Sequence, residues 1–169
     1  MRRIALRMSV LALAVALAGC SSSPVGFTLS GEPGFYKKLN ATTAKVDPVA
    51  ARDMFSIYRV NHGLSRLTID PAWQKAAEEQ VLAMARADRM SHEIGGTLMS
   101  RLDGRLDHTR AVENVSAGYH TLAEAFSGWR ESPSHNKNML NPAMRRMGIA
   151  TAYVPESKYK VYWALILTD

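Results

Sequence analysis

The segment that most constrains this chain lies at its C-terminal end. From Lys160 to Leu167, the residues Val161, Trp163, Leu165 and Leu167 alternate with Tyr162, Ala164 and Ile166. Side chains alternate across a β-strand, so these two apolar sets face opposite ways. A strand that is apolar on both faces has to be covered on both. Gly148 to Val154 is a second short β-compatible run, and Pro155 to Lys158 reads as the hairpin loop between the two.

The covering elements are helices with clear start signals. Asp47-Pro48 and Asp70-Pro71 each supply an N-cap acid and a first-turn proline. After the first, Ala50, Met54, Ile57, Tyr58 and Asn61 recur at helical spacing, and Gly63 is the natural stop. After the second, Trp73, Ala76, Ala77, Gln80, Val81 and Met84 trace a helix ending near Arg89. A third helix begins at Thr121, carries Leu122, Ala125, Phe126 and Trp129 on one stripe, and stops before Pro133. A short helix follows from His135 to Leu140. Helices on both faces of a mainly antiparallel sheet make an α+β fold, a three-layer α-β-α sandwich. Residues 46–169 suffice for one such domain.

The N-terminus reads differently. Arg2, Arg3 and Arg7 precede an apolar run from Met8 to Ala18, then Gly19 and Cys20. A basic start, a short apolar core and small residues at the end describe an export signal over residues 1–19. The run is shorter than the roughly 18–20 residues a spanning helix needs. Without these three arginines the net charge falls from +6 to +3, which takes away most of the support for nucleic-acid binding. Leu17-Ala18-Gly19-Cys20 resembles the bacterial lipoprotein box, with Cys20 as the lipidated first mature residue. Cys20 is the lone cysteine, so an intramolecular disulfide is excluded. Several acyl chains on one residue would anchor the protein to a membrane stably. Ser21, rather than Asp, follows the cysteine, which points to the outer membrane and its periplasmic face. Residues 20–45, rich in Ser, Gly, Pro and Thr, read as a flexible tether on which Phe35 and Tyr36 either dock or stay exposed.

No phosphate loop, dinucleotide fingerprint or paired-histidine zinc motif is present. Four short segments remain: Tyr58-Arg59 with Asn61-His62-Gly63-Leu64; Ser91-His92; Glu113-Asn114-Val115 with Gly118; and Trp129 through His135 with Asn138-Met139-Leu140. Gly148-Ile149-Ala150 and Tyr162-Trp163 follow. This ordered series resembles the CAP superfamily (cysteine-rich secretory proteins, antigen 5, pathogenesis-related proteins), in its bacterial, disulfide-free, SCP-domain branch. The resemblance spans roughly residues 50–167 and implies the same α-β-α sandwich.

The resemblance also implies a central cleft of two histidines and two acids. His92, Glu113 and His135 match three of these positions. Ser132 stands where the second acid falls, and Val112 replaces a common glycine. Glu131 is adjacent to Ser132, but neighbouring helix residues lie about 100° apart and point to different sides. His92 and His135 could ligate Zn²⁺ or another divalent metal, with Glu113 as third ligand or as the group orienting one imidazole. Without metal, a His–Glu pair can act as a general base, and Ser132 beside His135 can be read as a nucleophile. The same network can also be purely structural. His62, His108 and His120 match no cleft position, and Arg101, Asp103, Arg105, Asp107 and Arg110 read as a solvated mixed-charge stretch. The resulting expectation is a lipid-anchored envelope module that binds a small ligand, lipid or envelope component, with a hydrolase or peptidase as the alternative.

Overall fold

The computed structural model describes residues 32–41, 45–102 and 110–169. The export signal, Cys20, most of the tether and residues 103–109, including His108, lie outside the described residues. Five helices and four strands follow in order: α1 Pro48–Val60, β1 Thr68–Ile69, α2 Pro71–Arg86, α3 Leu98–Leu102, β2 Ala111–Ala117, α4 Leu122–Glu131, α5 Pro133–Met139, β3 Arg146–Tyr153 and β4 Val161–Thr168. Asp47 accepts from Val49 and Ala50 N–H, and Asp70 accepts from Ala72 and Trp73 N–H, which sets the starts of α1 and α2. Thr121 and Glu124 form a reciprocal capping box at α4. Among the described residues no helix is long and apolar enough to cross a membrane.

The sheet order is β1-β3-β4-β2. The β2–β4 and β3–β4 pairs are antiparallel, and the two-residue β1 runs parallel to β3. All eight residues of β4 are buried, as its two apolar faces require. Val161, Trp163, Leu165 and Leu167 meet the layer that holds α1, α4 and α5, through Phe55, Leu122, Ala125, Trp129 and Met139. Tyr162, Ala164 and Ile166 meet α2 and α3, through Trp73, Ala76, Ala77, Val81, Met84 and Leu102. Each fully buried large aliphatic side chain contributes about 1.5–3 kcal/mol, so this strand is the main fastener of both interfaces.

The two interfaces differ in texture. The α1/α4/α5 face is aromatic: Trp129 stands edge-on to Trp163 at 6.3 Å and lies near Phe55 at 6.1 Å. The α2 face is built from small residues, Ala76, Ala77, Ala150, Ala152 and Ala164, which lets the helix approach closely. At Gly148 the approach is closest. The backbone of Trp73 and Gln74 occupies the space a Cβ would need, so only glycine fits there.

Two expectations need correction. The buried stripe of α1 is Ala51, Phe55, Ser56 and Arg59, whereas Ile57 and Asn61 are exposed. Spacing alone misplaces this face because Arg59, a charged residue, is in the core. The free tether also ends sooner than residue 45. Gly34–Tyr36 form a 3₁₀ turn, Phe35 packs against the core, Leu39 is buried, and Leu39 N–H donates to His120 O at 2.8 Å. Apolar residues at 35 and 39 gain by burial what a solvated linker cannot offer.

Candidate functional site

The site is built across β2, which forms one edge of the sheet. Alternation sends Glu113 and Val115 toward the α2/α3 layer and Val112 and Asn114 toward the α4/α5 layer. Two consecutive polar residues on this edge therefore engage opposite layers. On one side, Glu113 meets His92, from the loop after α2, and Arg101, from α3. On the other, Asn114 Nδ2 donates to His135 O at 3.1 Å. Asn138 Nδ2 donates to Asn114 Oδ1 at 2.9 Å and to Glu113 O at 3.1 Å. These amides bind α5 to the β2 edge and place His135 beside the His92–Glu113 pair. Tyr58 O–H donates to Asn136 Oδ1 at 2.8 Å and fixes the other side of α5.

The Glu113 side chain is only 2% exposed. Such a carboxylate needs partners, because an isolated buried charge is very costly. Arg101 Nη2 donates to both carboxylate oxygens, at 2.9 and 3.0 Å, and also to His92 O at 3.1 Å. Arg101 Nε donates to Gly96 O at 3.3 Å. His92 Nδ1 lies 2.9 Å from Glu113 Oε2. Glu113 accepts from Arg101 through both oxygens, so the contact with His92 is read as Nδ1–H donating to the carboxylate, which leaves Nε2 as the ring nitrogen not engaged by Glu113. The His92 side chain is 53% exposed. A buried charge pair therefore orients a half-exposed imidazole. His135 has its proton affinity lowered, first by burial and second by the nearby His92, and so favours the neutral form.

Arg101 is the residue that sequence reasoning misses. It reads there as part of a solvated stretch, yet its side chain is only 11% exposed and forks onto Glu113. Nothing local marks it, because its partner is twelve residues away on another element. Arg110 matches that reading and is exposed. Ser132 joins α4 to α5 as the cap residue of both, and its hydroxyl pairs with Ser134 at 3.3 Å. Among the described residues no hydrogen bond links it to His135. Glu131 is solvent-facing and lies 3.7 Å from Arg130. His62 is exposed at the end of α1, with Nδ1 2.8 Å from Tyr58 O, and His120 N–H donates to Glu124.

The donor set does not make a three-ligand metal site. Glu113 is committed to Arg101 and His92, which leaves two imidazoles, and among the described residues no three His, Cys, Asp or Glu side chains converge on one point. A cation would also meet the Arg101 guanidinium beside the same carboxylate.

Comparison with known proteins agrees with this architecture. The profile of the CAP, or cysteine-rich secretory protein, family matches residues 52–167. The uncharacterized membrane protein YlbC of Bacillus subtilis (strain 168) is 30% identical over 117 residues, covering 68% of this chain and 33% of that protein. YkwD, an uncharacterized protein from the same organism, is 27% identical over 130 residues, covering 72% of this chain and 51% of its own length. This chain thus spans about a third and about half of these two relatives. Among solved structures, an extracellular protein containing a SCP domain from Bacillus anthracis str. Ames superposes with a TM-score of 0.63 at 26% identity, over 72% of this chain and 39% of that one. An outer surface protein from Borrelia burgdorferi gives a TM-score of 0.63 at 19% identity, over 75% of this chain and 97% of that one, a likeness of fold alone.

Proposed function

This chain belongs to the CAP (cysteine-rich secretory protein) family, and from that membership we propose that it is a lipid-anchored binding module of the bacterial cell envelope. Its His92–Glu113–His135 cleft would hold a small polar ligand. The observation that carries this reading is the half-exposed imidazole of His92, held through Nδ1 by the buried Glu113–Arg101 pair, with His135 near enough to feel the charge of His92. Imidazole ring nitrogens beside a carboxylate suit a ligand that carries hydrogen-bonding groups, such as an amine or a polyol. The extracellular description of the SCP-domain neighbour, and the membrane protein among the relatives, support an envelope location. Lipid anchoring rests on the cysteine of Leu17-Ala18-Gly19-Cys20.

A thermal-shift screen of amine- and hydroxyl-rich compounds tests the cleft. Ligands should raise the Tm of the parent, by the mass-action stabilisation of a folded-state binder, and leave His92→Ala unmoved. A hit that shifts both equally would move the ligand elsewhere. A tight, one-to-one Zn²⁺ titration lost in both His92→Ala and His135→Ala would replace the polar ligand with a metal. The anchor has its own test: Cys20→Ala should leave the membrane fraction, and retention there would refute lipidation as the tether.

A second reading, a hydrolase with His92 as general base, draws on the same orientation of Nε2. The Ser132 hydroxyl pairs with Ser134 rather than with His135, so the attacking group in this reading is a water. A chromogenic ester or peptide hydrolysed at a rate that falls at least 100-fold in His92→Ala would restore it.

A further inference from the structure

The two outer edges of the sheet are treated differently. At the β2 edge, Asn138 donates to the outward carbonyl of Glu113. At the β3 edge, Gln74 makes both bonds a neighbouring strand would make: Ile149 N–H donates to Gln74 Oε1 at 3.1 Å, and Gln74 Nε2 donates to Ile149 O at 2.8 Å. Before that point β1 covers the edge, where Arg145 O and Met147 O accept from Thr68 and Asp70 N–H. The odd-numbered residues of β3 therefore point outward, and Thr151 and Tyr153 come next. Among the described residues, nothing pairs with their main-chain N–H and C=O on that side. The one neighbouring bond uses a side chain, from Val46 N–H to Thr151 Oγ1 at 3.0 Å.

This open edge is the floor of a cavity of about 620 Å³ whose lining includes none of His92, Glu113 and His135. One wall is α2, with Glu78, Val81, Leu82, Ala85 and Arg86, and the other is Lys45, Val46 and Pro48. Leu82 is 48% exposed, a large apolar side chain left in solvent on that wall. Unpaired strand edges in natural proteins are usually blunted by charge, proline or a bulge. Here Gln74 blunts one position and leaves the next two available, between apolar walls.

We propose that this groove binds an extended peptide segment of a partner protein, added as a strand beside Thr151 and Tyr153. Outward N–H and C=O groups at alternate residues match the repeat of a polypeptide backbone and no other common ligand. Side chains of an added strand alternate toward the two walls, so one apolar residue seats against Val81, Leu82 and Ala85. Charge narrows the class further. Lys45 and Arg86 flank the groove, while its one acid, Glu78, is reached by Gln74 Nε2 at 3.3 Å. The favoured segment is therefore apolar with an acidic residue. Gln74 stops the register at Ile149, so the paired stretch is short.

Panning a displayed library of linear heptapeptides against the full chain, with Leu82→Glu as counter-selection, tests this. Leu82 is solvent-exposed, so the variant keeps its fold. Expected are peptides of β-branched and apolar residues with one acid, binding Leu82→Glu at least tenfold more weakly. N-methylation along a recovered peptide should abolish binding at every second residue only, since alternate N–H groups face the edge. Three results would overturn the proposal: no enrichment for the parent over Leu82→Glu, a flat N-methyl scan, or a concentration-dependent dimer of the parent, lost in Leu82→Glu, showing that a second copy fills the edge.

Discussion

Arg59 and Glu113 are both buried and charged, yet they sit in opposite kinds of surroundings. Arg59 is closed on every side. Its guanidinium donates to Ser65 O, Met139 O, Asn141 O and Met144 O at 2.8–2.9 Å, and the residue is 1% exposed. It ties the end of α1 to the end of α5 and to the segment leading into β3. Glu113 is enclosed on one side by Arg101 but opens on the other to a half-exposed imidazole. In the first case all the charge is consumed by carbonyls, and the result is rigidity. In the second, the carboxylate holds, through a hydrogen bond, an imidazole that is half exposed to water. A buried charge whose partners are all main chain marks structure, whereas one whose partner ends in solvent marks a site.

The sharpest way to break this contrast is at Arg59. Arg59→Met roughly keeps the length of the side chain and removes every donor, so four carbonyls lose their partners at once. An unsatisfied buried polar group costs about 1–3 kcal/mol, and some of these carbonyls will find water, so the expected loss is about 3–5 kcal/mol. The urea midpoint should fall by a corresponding amount with an unchanged slope. A loss under about 1 kcal/mol would show that Arg59 is no more structural than a surface arginine, and the distinction drawn above would fail.

That contrast also explains what the sequence exposes and what it hides. β4 is legible because alternation of apolar residues is a local signal, and each of its two faces finds the cover it requires. The helix starts are legible because Asp-Pro and Thr-x-x-Glu caps work within one turn. β2 does not read as a strand, because Glu113, Asn114 and Ser116 dilute its β-pattern. Those polar residues are where the site is assembled, and local rules are expected to fail there. The burial of Arg59 turns the face of α1 for the same reason. In the stripe with Met54, Ile57 and Tyr58, Met54 and Tyr58 pack against the edge of the core while Ile57 is exposed, and all three line an open groove of about 450 Å³ with Phe35 and Phe126. Arg101 is invisible because its role depends on a tertiary contact that leaves no local pattern. His92, Glu113 and His135 can be picked out only through the ordered series of motifs, since no spacing rule links residues from three separate elements.

The smaller effect, at His135, sharpens the comparison from the cleft side. Burial lowers its proton affinity first, and His92 lowers it further. Between the unfolded value near 6.5 and the lower folded value, the unfolded chain binds more protons than the native one. Stability from this group is therefore unaffected above about pH 7, falls as the pH drops through the mid-6 range, and levels off below the folded value. The difference in urea midpoint between the parent and His135→Gln should follow that curve, which isolates this group from other titrating residues. Followed by NMR, the His135 ring should titrate below the usual imidazole range. In His92→Ala it should move back only part of the way, because burial, the larger cause, remains. A full return would make the pair purely electrostatic and the cleft fully wet. No return would separate His135 from His92, leaving two independent histidines where the proposed ligand needs a facing pair.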